Sequence, residues 1–186
     1  PLTCGSIRNR RLHQIGYVPQ DRIRYGSSRD SSLVENCIMG YHLQHLRKKK
    51  FLMDYNAAAS FTKDIVSNYK VKAGSIQDRA GSLSGGNLQR MAFARAVISR
   101  PRLLIASYPS RGLDIATVHA VHKTLFRLKK QGVGTILISE DISELFTMCD
   151  RILVLSSHTA FGPYCVDTCT PNEIGKIMLQ GENAHE

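Results

Sequence analysis

The run Leu83-Ser84-Gly85-Gly86-Asn87 is where residue types and spacing in this 186-residue chain come closest to a ligand chemistry. A serine followed by two glycines, directly ahead of a helical pattern over 88–96, offers a hydroxyl, unhindered backbone N–H groups and the positive end of a helix dipole. That combination suits an anionic oxygen such as phosphate. Taken alone, the same run also reads as an ordinary helix cap with a flexible entry. The other constellations are weaker. His119 and His122 share a helix face at i, i+3 without a third ligand, and His42 and His45 have the same spacing beside a basic run and read as surface residues. His158, Cys165 and Cys169 match no structural zinc spacing, and there is no Gly-x-Ser-x-Gly elbow.

The elements that must position these groups follow from periodicity and caps. Residues 6–13 read as a short basic helix, Ile15-Gly16-Tyr17-Val18 as a strand running into Pro19-Gln20, and 21–32 as a loop. Ser32 with Glu35 has capping-box spacing for a helix through Met39. Over 51–69, the residues Leu52, Tyr55, Ala59, Thr62, Val66 and Tyr69 recur at helical steps and define a core-facing stripe. A helix is expected from Asn87 to about Ser99. Strand 103–107, helix 114–130, strand 135–139, helix 141–148 and strand 151–155 then alternate with short connections, the pattern of a parallel sheet covered on both faces. Phe161, Gly162, Tyr164 and Val166 suggest a small terminal strand, and Pro171-Asn172-Glu173 starts a last helix. In such folds, functional groups gather beyond the carboxyl ends of the strands, here at Gln20, Ser107-Tyr108-Pro109 and Ser139-Glu140-Asp141.

Composition narrows the classes. Hydrophobic residues make up 42% and charged residues 22%, enough apolar material to bury a core. No apolar run approaches the ~18 residues of a membrane span. The odd count of five cysteines, Cys4, Cys37, Cys149, Cys165 and Cys169, contains no Cys-x-x-Cys and fits reduced thiols in the cytoplasm better than a disulfide framework. A net charge of +10 raises nucleic-acid binding, but the cations are dispersed. One run, Arg47-Lys48-Lys49-Lys50, opens a helical segment, and Arg8, Arg10 and Arg11 form a looser group, both reading as solvated surface.

Taken in order, Ile15-Gly16-Tyr17-Val18-Pro19-Gln20, Leu83-Ser84-Gly85-Gly86-Asn87, the segment from Leu103 through Pro109-Ser110-Arg111-Gly112-Leu113-Asp114, and Ile136-Leu137-Ile138-Ser139-Glu140-Asp141 resemble the ATP-binding domain of ABC transporters. Leu-Ser-Gly-Gly-Asn and Pro-Ser-Arg-Gly-Leu-Asp look more narrowly like the C-terminal ATP-binding half of importers for simple sugars and nucleosides. The resemblance implies an α/β fold of the P-loop NTPase kind, with 1–30 holding the Q-loop strand, 31–99 a helical subdomain and 100–186 the α/β core. It makes Gln20 the Q-loop glutamine, which meets metal and water and couples to the membrane subunit. Ser84, Gly85, Gly86 and Asn87 become the signature motif, contacting the γ-phosphate of a nucleotide held by the opposite domain. Asp114 becomes the D-loop aspartate at the dimer interface.

The same resemblance implies a degenerate site. The chain has no Gly-x4-Gly-Lys-Ser/Thr, since its only Gly-Lys, Gly175-Lys176, is followed by Ile177. The phosphate loop is therefore expected to be missing ahead of Pro1 rather than mutated. Ser107 and Tyr108 stand where the family has an Asp-Glu pair: a hydroxyl cannot neutralise a cation, and a phenol with pKa near ~10 is a poor base at neutral pH. Glu140 stands in place of the switch histidine. The expected protein is a truncated second half that completes a partner domain's site for ATP with Mg²⁺ in a head-to-tail dimer. It would couple to permease subunits, and through them to a periplasmic or lipoprotein substrate-binding protein, on the cytoplasmic face of the membrane, with no intact catalytic residue, no metal ligands of its own and no nucleic acid bound. The alternatives are a basic nucleic-acid-binding protein and a folded fragment without activity.

Overall fold

The computed structural model describes residues 15–21, 23–40, 47–49, 52–98 and 100–180. The basic group at Arg8, Arg10 and Arg11, the helix expected over 6–13, Cys4, His42 and His45 lie outside them. The chain forms two compact units, one ending at Ile136 and one starting at Leu137.

In the first unit, β1 (Ile15–Val18) pairs in parallel with β4 (Leu103–Ser107); β5 (Gly134–Ile138), next in the order β1-β4-β5, begins in this unit and has its last two residues in the second. Register places Gly16 beside Leu104 and Val18 beside Ala106, and this face is buried. Gly16 is required there: a Cβ would stand 2.5 Å from the Ala96 carbonyl oxygen, so only glycine lets α3 (Gly85–Ile98) lie against the strand. The other face, with Tyr17 54% exposed, is not covered among the described residues as the alternation predicts.

Three helices build the remainder of this unit. α1 (Leu33–Ile38) begins with the capping box read from Ser32 and Glu35, whose side chains each accept the other's backbone N–H. α2 (Tyr55–Asn68) is capped by Asp54, whose carboxylate accepts from the N–H groups of Asn56 and Ala57. Leu33, Cys37, Ile65, Val71, Leu88 and Met91 close a core among α1, α2 and α3.

Two expectations fail here. The basic run does not open a helix: Arg47–Lys49 form β2, antiparallel to β3 (Leu52–Met53), and the helix waits for the Asp54 cap. The buried stripe of α2 is Ala58, Thr62 and Ile65, rotated from the expected one, and Tyr55 is exposed. Small side chains at Ala58 and Thr62 allow close approach to α1, and the Thr62 hydroxyl is satisfied by donating to the Ala58 carbonyl at 2.8 Å. α4 (Ile115–Lys130), running between β4 and β5, matches the expected helix.

The second unit contains α5 (Ile142–Met148), β6 (Arg151–Ser156), β7 (Thr159–Cys165) and α6 (Pro171–Gln180). β6 does not extend the parallel sheet. It pairs antiparallel with β7 through the tight turn at Ser157-His158, both at positive φ, and β7 starts earlier and ends sooner than the expected terminal strand. Leu145, Ile152, Val154, Ile174 and Ile177 form its core.

Candidate functional site

Ser84 stands at the start of α3, where its carbonyl accepts the Leu88 N–H at 2.9 Å. Its Oγ accepts from the Asn87 side-chain amide at 2.9 Å and from the Asn87 backbone N–H at 3.4 Å. With both lone pairs engaged, the hydroxyl proton is left to donate outward. Asn87 is held in turn, its Oδ1 accepting the Lys72 N–H at 3.0 Å, so the helix start is fixed to the segment after α2. Gly85 and Gly86 are not demanded by internal packing. A Cβ on Gly85 would meet nothing within 4 Å, one on Gly86 only Leu113 Cδ2 at 4.0 Å, and neither has a positive φ. Glycine weakens a helix, and two at this start, Gly85 exposed and Gly86 with no contact closer than 4.0 Å, leave room for an anionic group to approach the backbone N–H groups.

Asp114 caps α4. Its carboxylate accepts the Thr117 N–H at 2.9 Å and hydroxyl at 2.7 Å, and pairs with the Arg90 guanidinium of α3 at 3.3 Å. The Thr117 hydroxyl bond foremost, then its backbone N–H, holds the carboxyl below the ordinary aspartate range. Because β1 and β4 run parallel in register, Gln20 and Ser107-Tyr108 leave the sheet at the same end. Gln20 is exposed, and Ser107 is buried at the end of β4. Tyr108 turns in the left-handed region at φ 49° with the Arg111 guanidinium 5.5 Å from its ring centre. Neither side chain supplies a carboxylate. Glu140 belongs to the second unit, exposed in the loop before α5, where Asp141 caps the helix and the Ser139 hydroxyl donates to Glu144 at 2.6 Å. His119 and His122 lie on α4, and among the described residues no three His, Cys, Asp or Glu side chains gather as a metal site.

Three positioning residues escaped the sequence reading. Gln89 is fully buried and donates from Nε2 to the Pro109 carbonyl at 2.8 Å, tying α3 to the loop after β4. Arg95, also buried, donates to the carbonyls of Asn36 and Gly26, each at 2.8 Å. Asn36 closes the loop with bonds to both backbone groups of Ser28. Together they join the segment after Gln20 to α1 and α3. The available signal was two long polar side chains, Gln89 and Arg95, on the inward face of an otherwise apolar helix.

The ABC transporter family model matches residues 3–110. The nucleoside import ATP-binding protein NupA of Lactococcus lactis is 32% identical over 90% of this chain and 33% of its own length. The glucose import ATP-binding protein TsgD13 of Haloferax volcanii is 34% identical over 98% of this chain and 34% of its own length. The chain thus spans about a third of these relatives. Among solved structures, the ATP-binding cassette MJ0796 in a dimeric post-hydrolysis state with ADP and phosphate superposes with a TM-score of 0.68 at 20% identity, over 82% of this chain and 62% of that one, a likeness of fold.

Proposed function

Because the chain belongs to the ABC transporter family, we propose that it is the C-terminal ATP-binding half of an importer for simple sugars or nucleosides, acting on a nucleotide held mainly by a partner domain. The relatives named for nucleoside, glucose and xylose import support the substrate class. The observation that carries the reading is the start of α3: an exposed Ser84 hydroxyl, fixed by Asn87, beside two glycines that the chain's own packing leaves open.

Ser84, Gly85 and Gly86 meet the terminal phosphate of the partner's ATP, and the exposed α3 N-terminus adds its partial positive charge. Asp114 orders the turn into α4 at the same interface. ATP with Mg²⁺ supplies the anhydride whose hydrolysis powers transport. This half contributes positioning rather than chemistry, since Ser107, Tyr108 and Glu140 bring neither a metal-neutralising carboxylate pair nor a switch imidazole to its own site. Gln20 and the helices of 31–99 receive the permease, which places the chain peripherally on the cytoplasmic face and links it indirectly to a substrate-binding protein.

The test is to titrate labelled Mg-ATP and labelled duplex DNA into the chain, with and without the protein's other ATP-binding half, at two salt concentrations. Nucleotide retention that needs both halves and is lost in Ser84→Arg supports the proposal. DNA binding that is tight, falls steeply with salt and ignores nucleotide points to the nucleic-acid alternative and overturns it. Absence of any response to either ligand with the other half present identifies a fragment without activity and overturns it equally.

A further inference from the structure

A cleft of about 680 Å³ opens between α3 and α4, on the flank of α3 rather than at its signature start. That size is typical of a small-molecule site. Its apolar wall is the accessible Leu113, Ala116 and Ala120, set above a buried base of Phe93, Val97, Val121 and Leu128. Its rim is cationic: Lys70, Arg90, Arg100 and Arg127 line it, and no carboxylate does among the described residues. Gln89 forms part of the inner wall, with a buried Oε1 that has no hydrogen-bond partner.

The cations have an internal task, because α2, α3 and α4 all end at this cleft and each C-terminus carries roughly half a negative charge. That task does not consume them. Arg90 is paired with Asp114, and the three remaining full charges exceed the three partial ones. Backbone conformation shows the same excess. α4 ends at Gly132 with φ +80, the ordinary solution, whereas α2 and α3 pass into the left-handed region at Lys70 (φ 52) and Arg100 (φ 50). Glycine or asparagine is the usual occupant of that position, and a long cationic side chain there is strained. Both such residues line the cleft.

We propose that this cleft is a binding site for a small amphipathic organic anion, its apolar or aromatic body against Leu113, Ala116 and Ala120 and its acidic group at the Lys70, Arg100 and Arg127 rim. The site goes beyond the nucleotide reading and does not depend on it.

The probes are anilinonaphthalene sulfonate and its uncharged analogue N-phenylnaphthylamine, titrated into the full chain by calorimetry. One molecule of the sulfonate binds per chain, at least about tenfold tighter than the neutral analogue. Ala120→Trp, which fills the cleft from the exposed side of α4, abolishes binding, and the double variant Arg100→Gln, Arg127→Gln weakens it about tenfold, each with an unchanged melting temperature. Ala116→Trp serves as a second plug should the first lower the melting temperature. Equal binding of the two probes, binding that survives the plug, or no binding of the sulfonate overturns the proposal.

Discussion

Cys37 shows how far burial governs a single group. It is 0% exposed among Leu33, Ile65 and Met91, and burial pushes its thiol up to about 11, against the smaller opposing pulls of the Thr62 hydroxyl and the Arg95 charge. The neutral thiol is therefore the form the fold accepts. Its contribution is complete below the unfolded value of 9.0 and disappears as pH rises through about 11, because the unfolded chain releases the proton first. A shift of that size corresponds to roughly 3 kcal/mol. Urea unfolding followed from pH 8 to 11.5 should lose this much more stability in the native sequence than in Cys37→Ala. At pH 8, iodoacetamide should label the exposed Cys165 and leave Cys37 untouched until urea is added. Labelling of Cys37 in the folded chain would refute the buried assignment.

Gly16 on β1 and Gly85 on α3 stand in opposite settings. Gly16, on the strand beneath α3, is a packing glycine: Gly16→Ala drives a methyl into the Ala96 carbonyl and should cost about 2–3 kcal/mol in chemical denaturation. Gly85 faces open space, so Gly85→Ala should leave stability unchanged or raise it by up to about 1 kcal/mol while weakening nucleotide retention with the partner half. Loss of stability at Gly85 would mean that the glycine serves the fold rather than a ligand. Local signals made much of this legible. Ser32 caps α1 as its spacing to Glu35 implied, and Asp114 and Asp141 cap helices whose starts were read at those residues, because a helix start needs only nearby residues. Long-range choices were less legible. The partner of β6 depends on which strand lies beside it, and the inward face of α2 depends on the small residues that let α1 approach, not on its largest apolar side chains. At the candidate site, motif order pointed to Ser84 and Gln20, whereas Gln89 and Arg95 act through carbonyls 20 to 69 residues away and leave no local pattern.

At the scale of the whole chain, each unit holds apolar clusters of its own among the described residues. The core of the first unit draws on α1, α2 and α3, while that of the second is made of Leu145, Ile152, Val154, Ile174 and Ile177, with Leu137, Phe146 and Phe161 packed around them. The second core is the smaller and is closed by α6, whose Ile174 is 0% exposed. Truncating this side chain removes three methyl or methylene carbons from the centre of a core that has few others to close the gap, so Ile174→Ala should cost about 2–5 kcal/mol. A loss of that size is comparable with the stability of a small unit and is expected to act locally. Hydrogen exchange should therefore show amide protection falling across α5, β6, β7 and α6, while α3 keeps its protection through Met91, Phe93 and Ala94, all buried in the first unit. Equal loss in α3 would show that the chain unfolds as one cooperative body. Loss confined to α6 would show that the β6–β7 hairpin stands without it.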